Sequence, residues 1–186
     1  MKKIFILAAM ALVSAAAFAQ PKFAHVNFQE LYQLMPEADQ ARAVMTASQN
    51  EAMETYQTMI DEYQSKATQY QQKASTWTQT VRESKEKEIN DVQQRIMEFE
   101  QSIQQELAAK QNELMAPLVQ KAQDTVSSLA KAGSYIYVFD TSQMLYIDPA
   151  QSTDLTPAAR KALNIPEGRT LETLQAELQA AAAAQQ

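Results

Sequence analysis

His25 is the only histidine of the chain, and there is no cysteine anywhere in it. Imidazole is the side chain whose ordinary pKa lies closest to neutrality, so acid–base chemistry would have to run through this one residue. It stands between Ala24 and Val26, where alternation puts it on one face of a short strand, a structural place for a lone histidine. With one His, no Cys and two glycines, the chain lacks the spacings of zinc sites, hydrolase elbows and phosphate loops. No catalytic, cofactor-binding or metal-ligating residue is expected, no cofactor is needed, and the chain is not expected to be an enzyme. What remains is the chemistry of weak, reversible binding. Met59 and Met97 offer polarizable contacts suited to varied partners. Trp77 offers a large amphipathic ring, with Lys66, Lys73, Arg82, Lys85 and Lys87 clustered about it in sequence. These eight residues are the candidates for holding a client.

They lie in a stretch, 37 to 116, that contains neither proline nor glycine and is bounded by Pro36 and Pro117. Met53, Tyr56, Ile60, Tyr63 and Ala67 recur there at steps of three and four, and Ile89, Val92, Ile96, Phe99 and Ile103 resume the rhythm. A period near 3.5 residues is the seam of helices that wind around one another. Between the stripes, Ser75, Thr76, Thr78 and Thr80 interrupt the strong helix formers, and Thr80 with Glu83 has the capping-box spacing. The turn is therefore placed near 76 to 80. Folding back about residue 78 sets Ala67 against Ile89, Tyr63 against Val92, Ile60 against Ile96, Tyr56 against Phe99 and Met53 against Ile103. Both stripes then meet in one antiparallel seam. A continuous helix in a parallel dimer is the competing reading, and it leaves the threonine cluster without a role. Charge follows the same geometry. Arg42 stands against six carboxylates in 37 to 62, and Arg95 and Lys110 against six in 88 to 116. A positive tip on acidic arms would make a first, salt-screened contact with anionic clients or a membrane surface.

The flanking segments read as a small mixed body. Phe23 to Asn27 forms a strand, and Asn27 with Glu30 caps a short helix to Met35. The second long helix runs on through Pro117, kinked there, to Lys131 and Gly133. Tyr135, Ile136, Tyr137, Val138 and Phe139 form an unbroken apolar run, suited to a strand covered on both faces. Met144 to Ile147 reads as a further strand, and Thr156 and Pro157 cap and open a short helix to Leu163. Residues 166–186 are expected to be a tail, partly helical and frayed. The body, 20–36 with 117–165, is too small for a secure core of its own, and three short strands leave open edges. Copies that pool their strands would solve both problems, with Phe23, Val26, Tyr135, Ile136, Tyr137, Val138, Phe139, Leu145 and Ile147 as the oligomerisation residues. The expected fold class is α+β, mostly α: a long antiparallel coiled-coil hairpin on a small β-barrel-like oligomerisation body.

The chain begins with Lys2 and Lys3, an apolar run from Ile4 to Val13, and Ala17-Phe18-Ala19. This is the pattern of a secretory signal peptide cut after Ala19, and it points to the periplasm. The 16 Lys and Arg less Lys2 and Lys3 stand against 22 Asp and Glu, a mature balance of about −8. Nucleic acid is not expected as a partner, because phosphate-backbone binding needs clustered positive charge.

Several segments resemble the Skp/OmpH family of periplasmic chaperones. The opening Phe23-Ala24-His25-Val26-Asn27-Phe28-Gln29-Glu30-Leu31 is similar to the family's strand and helix. So are the return segment Leu118-Val119-Gln120-Lys121-Ala122, the strand Tyr135 to Asp140, and the closing turn Asp154-Leu155-Thr156. The resemblance spans roughly 22 to 163. It implies a homotrimer with a small β-barrel body and three hairpin tentacles around a cavity, holding unfolded outer-membrane proteins without nucleotide. The best-known relatives are strongly basic and this chain is acidic, so lipopolysaccharide is a candidate partner only through the tip cations. The alternative function is a structural coiled-coil spacer of the envelope.

Overall fold

A computed structural model of the chain describes residues 21–183. The segment read as a signal peptide lies outside them. The element order is β1 (Lys22–Val26), α1 (Phe28–Leu34), α2 (Pro36–Lys73), a 3-10 turn (Ala74–Thr76), α3 (Gln79–Gly133), β2 (Tyr135–Asp140), a second 3-10 turn (Thr141–Gln143), β3 (Ser152–Asp154), α4 (Thr156–Ala162) and α5 (Leu171–Ala183). The chain divides into two compact units, one from residues up to Pro36 with those from Val119 onward, the other Glu37–Leu118.

In the first unit, β1 is the centre of a three-stranded sheet of order β2-β1-β3, parallel on both sides. Alternate side chains of β1, Ala24 and Val26, are buried against Leu31, Leu34, Met35, Leu155, Ala159 and Leu163 as one core. Val138 is opposite Ala24 on that face, while Phe23, Tyr137 and Phe139 share the other. The expected closed, barrel-like body is not what a single chain forms: the sheet is open. Strands of five, six and three residues are too few to close, since the smallest well-filled barrels use about eight. Nor is β2 covered on both faces, because Ile136 is 54% exposed and Tyr137 60%. The strand expected at 144–147 is coil, and Leu145 is wholly exposed. Ser152–Asp154 takes the third place in the sheet instead, where the Ser152 hydroxyl lies 2.8 Å from Nδ1 of His25.

Capping at the two ends of this unit is interlocked. The Asn27 side chain accepts from the Glu30 N–H, but the Glu30 carboxylate turns away to Arg160. The Asn27 N–H that a capping box would satisfy donates instead to the Thr156 hydroxyl at 3.0 Å. Thr156 is thus not the cap of α4; the cap position is Leu155, which makes no side-chain cap bond, and the Asp154 side chain accepts from the Thr156 N–H just before the helix. The residues after Pro166 include the helix anticipated there, α5, and it is docked on the body. α5 packs against α1 and buries Leu174, and Thr170 and Thr173 cap each other's N–H groups. The i, i+3, i+7 stripe of Leu171, Leu174 and Leu178 gives this helix an apolar side that propensity alone does not reveal. Only the start of the segment is held: Leu178 is 48% exposed and Ala180 to Ala183 are exposed.

In the second unit, α2 and the neighbouring part of α3 run antiparallel. Val92 and Ile96 are buried, and Tyr56, Ile60, Tyr63, Ala67, Ile89, Phe99 and Ile103 are half-buried. Met53 does not join them; it is 72% exposed and Ala52 turns inward. A straight helix drifts about 20° per heptad from a 3.5-residue repeat, which over the heptads from Ala67 carries Met53 off the seam. The turn also sits earlier than 76 to 80. α2 ends at Lys73 and Thr78 caps α3, its hydroxyl accepting from the Val81 N–H and its carbonyl from the Arg82 N–H. The cause is Arg82, whose guanidinium donates to the carbonyls of Ala74 and Trp77 and closes the turn from below.

Candidate functional site

Two surfaces bring the candidate residues together. The first is the end of the hairpin. Trp77 follows the 3-10 turn, half-buried, with its ring edge-on to Tyr70 at 5.8 Å. Most of the surrounding cations are already engaged. Lys66 and Lys85 share the carboxylate of Glu88, at 3.0 and 2.6 Å, and Lys66 also lies 3.7 Å from Glu62. Lys87 pairs with Asp91 at 2.7 Å, and Arg82 is held by the turn carbonyls and the Gln79 side chain. Lys73, exposed at the end of α2, is the one tip cation without such a partner among the described residues. A sequence window ending at Lys87 counts the cations and stops one residue short of Glu88, their main counter-charge. The positive tip is thereby largely neutralised.

These pairs leave electrostatic signatures. Hydrogen bonds from Lys85 and Lys66 hold the Glu88 carboxyl below its usual 4.5. The bond to Glu88 raises Lys66 above 10.5. Tyr56 and Tyr70 donate their hydroxyls to Glu100 and Glu86 across the seam, which lifts each phenol above 10.0. Arg95 crosses to Glu62 at 2.9 Å. The two helices are joined by polar bridges as much as by apolar packing. Met59 is half-buried on α2 and Met97 is 49% exposed on α3.

The second surface is the open face of the sheet. The rings of Phe23 and Tyr137 stack with centroids 6.4 Å apart, and Phe139 lies 6.0 Å beyond Tyr137. Phe23, His25, Phe139, Met144, Tyr146, Ile147 and their neighbours line a hollow of about 200 Å³. The candidate set divides here. Val26 belongs to the chain's own core, and Val138 and Tyr135 are half-buried, whereas Ile136, Tyr137, Phe139 and Leu145 are open to solvent. Met144 and Tyr146, 40% and 79% exposed, extend the patch. The residues named from the sequence in this run, Leu145 and Ile147, are thus only part of the apolar surface that the coil presents. Among the described residues, no group of His, Cys, Asp and Glu could hold a metal, and no helix is long and apolar enough to cross a membrane.

A family model for OmpH-like outer membrane proteins matches residues 22–163, well over half of the chain. The chain belongs to the OmpH-like family. Among matching solved structures is a protein of Caulobacter crescentus described as a candidate outer membrane chaperone, OmpH-like. It aligns with a TM-score of 0.69 at 15% identity, covering 78% of this chain and 85% of its own. At that identity the likeness establishes a shared OmpH-like fold. No curated protein matches the chain. The family match covers the hairpin and the sheet and ends at Leu163, so α5 lies beyond the OmpH-like region.

Proposed function

We propose that this OmpH-like protein is an ATP-independent periplasmic holdase that binds unfolded outer-membrane proteins and keeps them from aggregating before insertion. The observation that carries the reading is a run of exposed apolar side chains in and after β2: Tyr137, Phe139, Met144, Leu145 and Tyr146. Contiguous exposed patches of that kind mark association sites. In this proposal copies of the chain, three by family resemblance, cover the patch by pooling their open sheets. The helical hairpins then hold the client by many weak contacts, and folding of the client into the membrane drives release. The leader, with cleavage after Ala19, delivers the protein to the periplasm. No enzymatic step or cofactor belongs to the mechanism.

Mass measurement combined with dilution of a urea-unfolded outer-membrane barrel tests the proposal. A stable trimer that keeps the barrel soluble at near-stoichiometric ratio is the expected result. An assembly that gives no protection would instead indicate a structural spacer, and a dispersed single subunit would remove the associating body altogether.

A further inference from the structure

One part of the hairpin seam is not filled. Along α2, Ser48, Ala52 and Thr55 are the small side chains that face Phe99, Ile103 and Leu107 of α3. Nearer the turn the opposing side chains are bulkier, and Val92 and Ile96 are closed off from solvent. The mismatch opens a cleft of about 310 Å³ with a half-buried apolar floor of Phe99, Ile103 and Leu107. That volume is at the small end of the range for ligand pockets, enough for one large side chain and its flanks. Glu51, Glu106 and Lys110 complete the lining. Lys110 is already paired with Glu113 at 3.2 Å. Glu51 and Glu106 are exposed and make no side-chain hydrogen bond or ion pair among the described residues.

We infer that this cleft selects client segments in which an aromatic or branched apolar side chain stands next to a lysine or arginine. The apolar group enters the cleft and the cation meets Glu51 and Glu106. The assignment rests on the holdase reading and names the kind of segment the holder prefers. Charge decides the occupant. An anionic segment would meet two uncompensated carboxylates, and a second copy of the arm would bring its own acidic surface against them, since 37–62 carries one cation and six carboxylates. Both are disfavoured by like charge.

The test uses the mature full chain and three fluorescein-labelled peptides: one with repeated Phe-Arg pairs, one with Phe-Glu and one with Ser-Arg, read by anisotropy at low salt. The Phe-Arg peptide is expected to bind most tightly. Two exposed ion pairs are worth roughly a three- to tenfold change in affinity, so Glu51→Gln with Glu106→Gln should weaken Phe-Arg by that factor and leave Phe-Glu no weaker. Ala52→Leu, which fills the cleft, should weaken both Phe peptides. Because the glutamines keep the shape of the side chains they replace, the double variant is informative even if Ala52→Leu unfolds. Equal binding of all three peptides, or no effect of the double variant, overturns the inference. So does a change of assembly mass on filling the cleft, which would make it a contact between copies. Solubility of a urea-unfolded barrel, measured in parallel with the unmodified protein, keeps the two readings apart. Protection without peptide selectivity sinks the cleft alone, and absence of protection sinks the holdase.

Discussion

Arg160 ties two separated stretches of the chain, α1 and the loop 166–169, to one guanidinium. One nitrogen pairs with the Glu30 carboxylate of α1, and the other donates to the carbonyls of Pro166 and Arg169 at 2.9 and 2.7 Å. Both partners of the ion pair are largely screened from solvent, at 17% and 21% side-chain exposure. Arg160→Ala should lower unfolding free energy by about 1–3 kcal/mol in urea denaturation, because polar groups with little access to water lose their partner. Arg160→Lys should recover only part of that, since an ammonium lacks the planar fork that serves a carboxylate and two carbonyls together. Gly133 is a second position where one atom matters. The left-handed residue after α3 is Ser134, at φ 56°, and Gly133 leaves room for the ring of Tyr135, which lies where a β-carbon would be. Gly133→Ala should displace that ring and lower the thermal midpoint, with about 1–3 kcal/mol of strain. Little of this could be read from residue order. Asn27 and Glu30 advertised a helix start correctly, but the pattern gave no hint that Glu30 is spent on an arginine 130 positions away.

At the level of elements, the hairpin is a polar-bridged structure, and its stability should follow the charges that bridge it. Glu88 titrates below 4.5 in the fold, so its contribution is complete above that value and disappears as pH falls through the depressed folded pKa. Lys66, Tyr56 and Tyr70 are raised, so their contributions are complete below about 10 and are lost as pH climbs through the raised values. Circular dichroism melts of the chain should therefore fall off below pH 4.5, and Glu88→Gln should flatten that acid limb. The seam was visible in the sequence because apolar spacing is a property of nearest turns on one helix. The displacement from Met53 to Ala52 was not, because it depends on how far the helix stays straight. The docking of α5 was not legible for another reason: three leucines at helical spacing say nothing of what they lie on. Truncation after Pro166 should expose the α1 surface under Leu174 and lower the midpoint, whereas truncation after Leu178 should leave it nearly unchanged.

For the molecule as a whole, the sequence showed that the sheet is short of strands, since their number and length can be counted. Which segments would supply them was less accessible. The run at 144–147 has the right residue types for a strand and remains coil, and the three-residue strand that replaces it is polar and defined by its pairing with β1. If association covers the apolar face, Tyr137→Glu with Phe139→Glu should convert the assembly to smaller species at micromolar concentration by light scattering, since each half-site would bury a charge. Unchanged mass would place the interface elsewhere.

The parallel pairing of β1 with β2 also orders events in time. Phe23 has its partner at Tyr137, so the first strand must wait until both long helices have been made. Loop closure over that span is slow relative to local helix formation. A newly made polypeptide should therefore build its arms first and knit its platform last, and for that interval it is itself an incompletely folded chain with β1 unclaimed.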